Sequence, residues 1–148
     1  MRTWCSAMTI FVELKGAKAY KERLRKFGRR TGKRLKAVIK DNSEKIRDTA
    51  IDLVNSPPAS GRIYYQGTPK EHQASAPGQS PMTWTGELAN SIVVIDVGKS
   101  NYQVVAMADY AIALEYGTID MEPRPFMSVA YAIHYKDFMK QVRGITKR

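Results

Sequence analysis

The sequence predicts an α+β fold, with a small antiparallel sheet packed against a long N-terminal helix and a C-terminal helix. A long extended arm is expected between the long helix and the sheet. Three observations lead there. Residues 30–55 carry one apolar stripe at three- and four-residue spacing. Residues 91–108 form two β-rich runs joined by Gly98-Lys99-Ser100-Asn101. Residues 56–84 hold five prolines and no sustained apolar period. With 148 residues and 43% hydrophobic content, the chain suits a single core that buries about two thirds of its unfolded surface.

Residues 1–7 read as a tail, Met8 being an alternative start. The opening lacks a long apolar h-region, so no secretory signal is expected. Residues 8–14 (MTIFVEL) are β-branched and aromatic, as a short strand requires. Ala17, Tyr20, Leu24 and Phe27 then fall at helical spacing, with Gly28 as the stop. In the long helix Leu35, Val38, Ile39, Ile46, Ala50, Leu53 and Val54 form the stripe. Gly32 weakens its first turn, and Pro57-Pro58 ends it.

The arm over 56–84 has two readings: a disordered loop, or a segment that orders by wrapping a neighbouring subunit. Tyr64 and Tyr65 suit a brief strand within it. Thr85 is expected to cap a helical turn whose Leu88 and Ile92 point inward. Residues 91–97 read as a buried strand, and 102–108 return antiparallel with Tyr102, Val104 and Ala106 on one face. The C-terminal helix is expected from Phe126 to about Val142, and 144–148 as a frayed basic tail.

The stretch 110–126, YAIALEYGTIDMEPRPF, is the rigid corner of the chain. Tyr110, Ile112, Leu114 and Tyr116 make an apolar turn or short helix, and Gly117 breaks it through a positive φ. Pro123 and Pro125 hold Arg124 extended. Pro125 suits the first helical position, and Phe126 is placed to fill the core at that helix start, worth about 1.5–3 kcal/mol.

Charge is concentrated. Residues 15–36 contain eleven basic residues against the single acid Glu22, a surplus of ten that equals the chain's formal net charge of +10. Lys21, Arg25, Arg29, Arg30, Lys33 and Arg34 are the candidates for contact with phosphates or with an acidic partner. The charges occupy nearly every non-core position, as on a solvated helical face, and no base-reading motif accompanies them.

Catalytic signals are sparse. His72, His134 and Cys5 have no metal-ligand spacing, no serine sits in a nucleophile elbow, and the glycines form no phosphate loop. Asp109 and Glu115 are the one acid pair that suits Mg²⁺; as structural groups, one ends a strand and the other caps a helix or pairs with Arg124. No cofactor is expected, nor a membrane span, since no apolar run approaches about 18 residues.

Three pieces of the chain together resemble one family. They are Thr85-Gly86-Glu87-Leu88-Ala89-Asn90-Ser91-Ile92, then Tyr110-Ala111 through Leu114-Glu115-Tyr116-Gly117-Thr118, then Pro123-Arg124-Pro125-Phe126. They are similar, in order and spacing, to the TGxLxxSI, YAxxxExGT and RPF signatures of the tailed-phage neck proteins of the Hong Kong ninety-seven gene product ten type. Ala89 stands where a basic residue is usual, and the arm is longer than in many members. The resemblance implies a structural virion protein of the head–tail junction or tail, made in the host cytoplasm. It implies a homo-oligomeric ring, hexamer or dodecamer, contacting head-closure or connector proteins and tail-terminator or tail-tube proteins. Non-specific contact with packaged DNA is the further implication. The alternative class is a small basic nucleic-acid-binding protein.

Overall fold

The apolar stripe winds into α1 (Arg29–Asn55), 27 residues and roughly 40 Å long at about 1.5 Å per residue. The structure, a computed structural model, describes residues 28–57 and 60–146. The strand expected over 8–14 and the helix over 17–27, with Lys21 and Arg25, lie outside them. Gly32 does not delay α1: its N–H reaches the Gly28 carbonyl at 3.5 Å, inside the first turn.

Opposite α1 runs α4 (Met127–Thr146), antiparallel to it. Leu35 and Ile39 share a buried cluster with Tyr102, Phe138 and Val142. Ile46, Ala50 and Val54 share another with Phe126, Met127 and Ala130. Between the two, α1 turns polar. The Asn42 amide donates to the Val38 carbonyl (2.8 Å) and to Gln141 Oε1 (3.2 Å), and the Ser43 hydroxyl to the Ile39 carbonyl (2.9 Å). Both side chains are buried with partners, so the break in the stripe is tolerated. One stretch along α4, His134 is half-buried and lies 2.7 Å from Thr49 Oγ1. Of the frayed tail expected over 144–148, residues 144–146 are helical and 147–148 lie outside the described residues. α4 continues through Gly144 to Thr146, because Val142 is buried in its penultimate turn and holds the helix down.

β3 (Ile92–Gly98) and β4 (Asn101–Ala106) pair antiparallel, Ile92 opposite Ala106 and Asp96 opposite Tyr102. Lys99 (φ 51°) and Ser100 (φ 62°) are both left-handed, the two-residue turn whose twist matches that of the strands. Tyr102, Val104 and Ala106 are buried on one face as expected, and Val105 between them is buried as well, so β4 is covered on both faces toward its end. β3 departs from the expected buried strand. Only Ile92 is fully covered, residues 93–95 are half-buried, and Asp96 to Gly98, beside the turn, are exposed. Lys36 on α1 reaches Asp96 at 3.3 Å and lies 5.7 Å from the Tyr102 ring centroid. The Gly98 N–H, and then Lys36, hold the Asp96 carboxyl below its ordinary range; the Asp96 carboxylate in turn raises the Lys36 ammonium. The pair is exposed, so it orients the hairpin more than it stabilises it.

α2 (Glu87–Ser91) is one short turn between the arm and β3. Gly86 at φ 77°, not Thr85, is its N-cap residue. The two threonines serve the entry amides instead: Thr83 Oγ1 accepts the Gly86 N–H at 2.9 Å and Thr85 Oγ1 the Glu87 N–H at 3.4 Å. Leu88 and Ile92 are both buried in the cluster with Ile46, Ala50 and Val54. The architecture is thus α+β, with the antiparallel hairpin on two antiparallel helices.

Candidate functional site

After β4 the chain makes α3 (Ala111–Tyr116) and stops at Gly117, φ 78°. A Cβ there would lie 2.6 Å from the Met121 carbonyl oxygen and 3.0 Å from both N and Cδ of Pro123. Only glycine lets the returning chain come this close. Residues 118–121 close on themselves: the Thr118 N–H donates to the Met121 carbonyl at 2.8 Å, and the Asp120 N–H to Thr118 Oγ1 at 3.3 Å. The return is then pinned by the Arg124 N–H on the Leu114 carbonyl at 2.7 Å.

Glu115 ties this corner to α4. It is buried, and one carboxylate oxygen accepts the N–H groups of Phe126 (2.9 Å) and Met127 (3.0 Å), while the other accepts that of Ser128 (2.9 Å). These are the amides a helix leaves without an internal partner, and a negative charge beside them is favoured by the helix dipole. Of the two structural roles open to Glu115, capping is the one taken. Contrary to the expectation from the sequence, Pro125 is not the first helical residue; α4 starts at Met127, and the Phe126 carbonyl accepts the Ala130 N–H at 3.0 Å. A proline at Met127 would have removed one of the donors Glu115 holds. With both oxygens engaged, Glu115 is not placed to hold Mg²⁺ with Asp109. Among the described residues no group of three or more His, Cys, Asp or Glu is arranged to hold a metal ion.

The arm splits into a docked base and a folded tip. At the base, the Gly78 N–H donates to the Pro123 carbonyl (3.0 Å), the Ser80 hydroxyl to the Pro125 carbonyl (3.1 Å), and Arg124 Nη1 to the Ser75 hydroxyl (3.4 Å). The Thr83 N–H meets the Val54 carbonyl at 3.0 Å, and Ser75 and Pro81 are buried. The tip is a second, smaller ladder, β1 (Ile63–Tyr64) paired antiparallel with β2 (His72–Gln73). It is closed at its root by the Gly61 N–H on the Ala74 carbonyl and the Ala74 N–H on the Arg62 carbonyl, both 2.9 Å. The brief strand expected at Tyr64 and Tyr65 therefore lies one residue earlier.

Gly61 sets the root geometry. A Cβ on it would lie 2.5 Å from the Ser75 carbonyl oxygen and 2.7 Å from that of Ala74. Gly61→Ala is therefore expected to pry the tip open at a local cost of about 1–3 kcal/mol. Amide hydrogen exchange checks it: the Ala74 amide loses protection while the Glu115-capped amides keep theirs.

Trp84 organises the surface between arm and corner. His72 stacks on it (centroids 5.4 Å, planes 9° apart), and Tyr65 lies 5.6 Å away at 41°. Arg62 sits 5.6 Å from the Tyr64 ring centroid. Behind Trp84 opens a cavity of about 270 Å³ lined by His72, Trp84, Leu88, Tyr110, Leu114 and Arg124, among others. Partial burial, and secondly the Glu87 carboxylate, push the Tyr110 hydroxyl above its ordinary pKa, so it stays a neutral donor. Arg124 Nε is buried without an acceptor.

The structure brings the three signature pieces together through distinct roles. Leu88, Ile92 and Phe126 are core; Glu115 is the cap; Tyr110, Leu114 and Arg124 border the cavity. Gly117, Pro123 and Pro125 shape the bend, while Tyr116 and Thr118 are exposed. Of the basic candidates, Arg29 and Arg30 form the start of α1, and Lys33 and Arg34 are exposed on it. Trp84 was not singled out from the sequence, His72 was weighed only as a metal ligand, and Ser75 was given no role in a site. The available signal was aromatic density within a proline-rich stretch, which disordered segments lack. Compared with family models, with curated proteins and with solved structures, the chain finds no match. No helix among the described residues is long and apolar enough to cross a membrane.

Proposed function

We propose that this chain is a structural subunit of a tailed-bacteriophage virion that assembles into a homo-oligomeric ring at the head–tail junction. It works by being a rigid piece, with no turnover of its own. The observation that carries this reading is the Glu115 carboxylate on the three amides of residues 126–128, which joins the YAxxxExGT piece to the RPF piece. The residues that resemble the neck family are thus the ones that set the shape of the corner. Exposed Lys33 and Arg34 support a non-specific contact with packaged DNA as a subordinate role.

Co-expression with the connector or head-closure protein and the tail-terminator or tail-tube protein of the same virus tests it. Discrete oligomers by light scattering, and rings in electron micrographs, are the expected result. A chain that stays monomeric with every such partner overturns the proposal.

A further inference from the structure

One large apolar side chain of the corner is left unused by the fold. Ile119 is 103% exposed relative to an extended reference, yet the closed 118–121 turn holds it in place. An apolar group on a preorganised turn binds without paying much chain entropy, which is the property of an interface anchor. Asp120 and Glu122 follow it in the chain, exposed and without an ion pair among the described residues.

The cavity behind Trp84 has the complementary properties. Leu88, Leu114 and Trp84 give it apolar walls, and Arg124 gives it a cation. That cation is poorly compensated: Nη1 meets only the Ser75 hydroxyl at 3.4 Å, Nε has no acceptor, and no carboxylate pairs with it among the described residues. At about 270 Å³ the cavity has room for a few side chains.

We infer that this cavity receives the 119–122 turn of a second copy of the chain, with Ile119 against the apolar walls and Asp120 and Glu122 facing Arg124. A second copy is the occupant because one chain carries both halves, an apolar knob with acids and an apolar hole with a base. A chain of net charge +10 also approaches itself best where a local acidic patch meets a basic one. Knob and hole are different surfaces, so the contact is heterologous, and its repetition closes a ring or runs on as a filament. The inference rests on the proposed self-assembling subunit and adds the residues of its contact.

Two single-cysteine variants, Ile119→Cys and Met82→Cys on the cavity rim, are made in a Cys5→Ser background and mixed under mild oxidation. A disulfide between position 119 of one chain and position 82 of the other, read by mass spectrometry of unreduced peptides, is the expected result. Either variant alone cross-links about tenfold less, since its thiols are not brought within bonding distance. In parallel, Ile119→Asp weakens self-association about tenfold or more with an unchanged monomer melting temperature. Rings that form without the cross-link, and equally well with Ile119→Asp, overturn the contact and leave the ring proposal standing. A wild-type chain monomeric at high concentration and with all neck partners sinks both. A cross-link from position 82 to a connector or tail protein, in place of a second copy, also overturns the contact.

Discussion

Glu115→Ala is expected to lower the stability of this protein by about 3–5 kcal/mol. The side chain accepts three N–H groups at 2.9–3.0 Å from a buried position. Each buried donor left without a partner costs about 1–3 kcal/mol, and loss of a negative charge at a helix N-terminus up to about 2. The bonds share one carboxylate, so these terms do not simply add. At roughly 2–4 °C per kcal/mol for a chain of this size, the melting temperature should fall by about 10 °C or more. Glu115→Gln keeps the shape and one acceptor oxygen, and should lose about half as much. Thermal melting followed by circular dichroism reads both. An alanine variant within about 1 kcal/mol of wild type would mean that water or another group caps α4 equally well.

Gly117→Ala should cost about 3 kcal/mol by a different mechanism. Its φ of 78° disfavours any Cβ by about 1–2 kcal/mol. The added carbon would also meet the Met121 carbonyl at 2.6 Å and the Pro123 ring at 3.0 Å, neither of which is a flexible chain end. Gly144→Ala is the internal control. It lies in α4 with nothing within 4 Å of its Cβ position, so alanine there should add up to about 1 kcal/mol. Urea midpoints compared at equal slope separate the two. If both glycines responded alike, the bend at Gly117 would not be the constrained point the geometry describes.

Both variants bear on assembly. The corner holds the 118–121 turn on one side and the arm's base on the other, through Pro123 and Pro125. If the chain assembles as proposed, loosening the corner should therefore weaken self-association even at temperatures where the monomer remains folded.

Much of the fold was legible because it rests on short-range rules. The stripe from Leu35 to Val54 repeats at helical spacing, so α1 could be placed nearly to the residue. The turn at Lys99-Ser100 and the burial of Tyr102, Val104 and Ala106 follow from strand alternation on either side of a turn-forming tetrapeptide. Where a boundary slipped, a distant group had intervened. α4 begins two residues after Pro125 because the Glu115 carboxylate waits eleven residues upstream for the Phe126 amide. The arm escaped periodic reading because its order comes from hydrogen bonds to carbonyls at Pro123 and Pro125, over 40 residues away.

Local chemistry along the chain determines that it is α+β, where its helices and hairpin run, and that its bend is stiffened by Gly117, Pro123 and Pro125. Those are properties of neighbours in sequence, and neighbours are visible in a string of letters. The function of Glu115 as a cap, the seating of Ser75 and Ser80 on the corner, and the cavity that gathers Trp84, Tyr110 and Arg124 came only with folding. Each depends on atoms brought together from separate elements, and no spacing rule ranks such encounters before the core has packed.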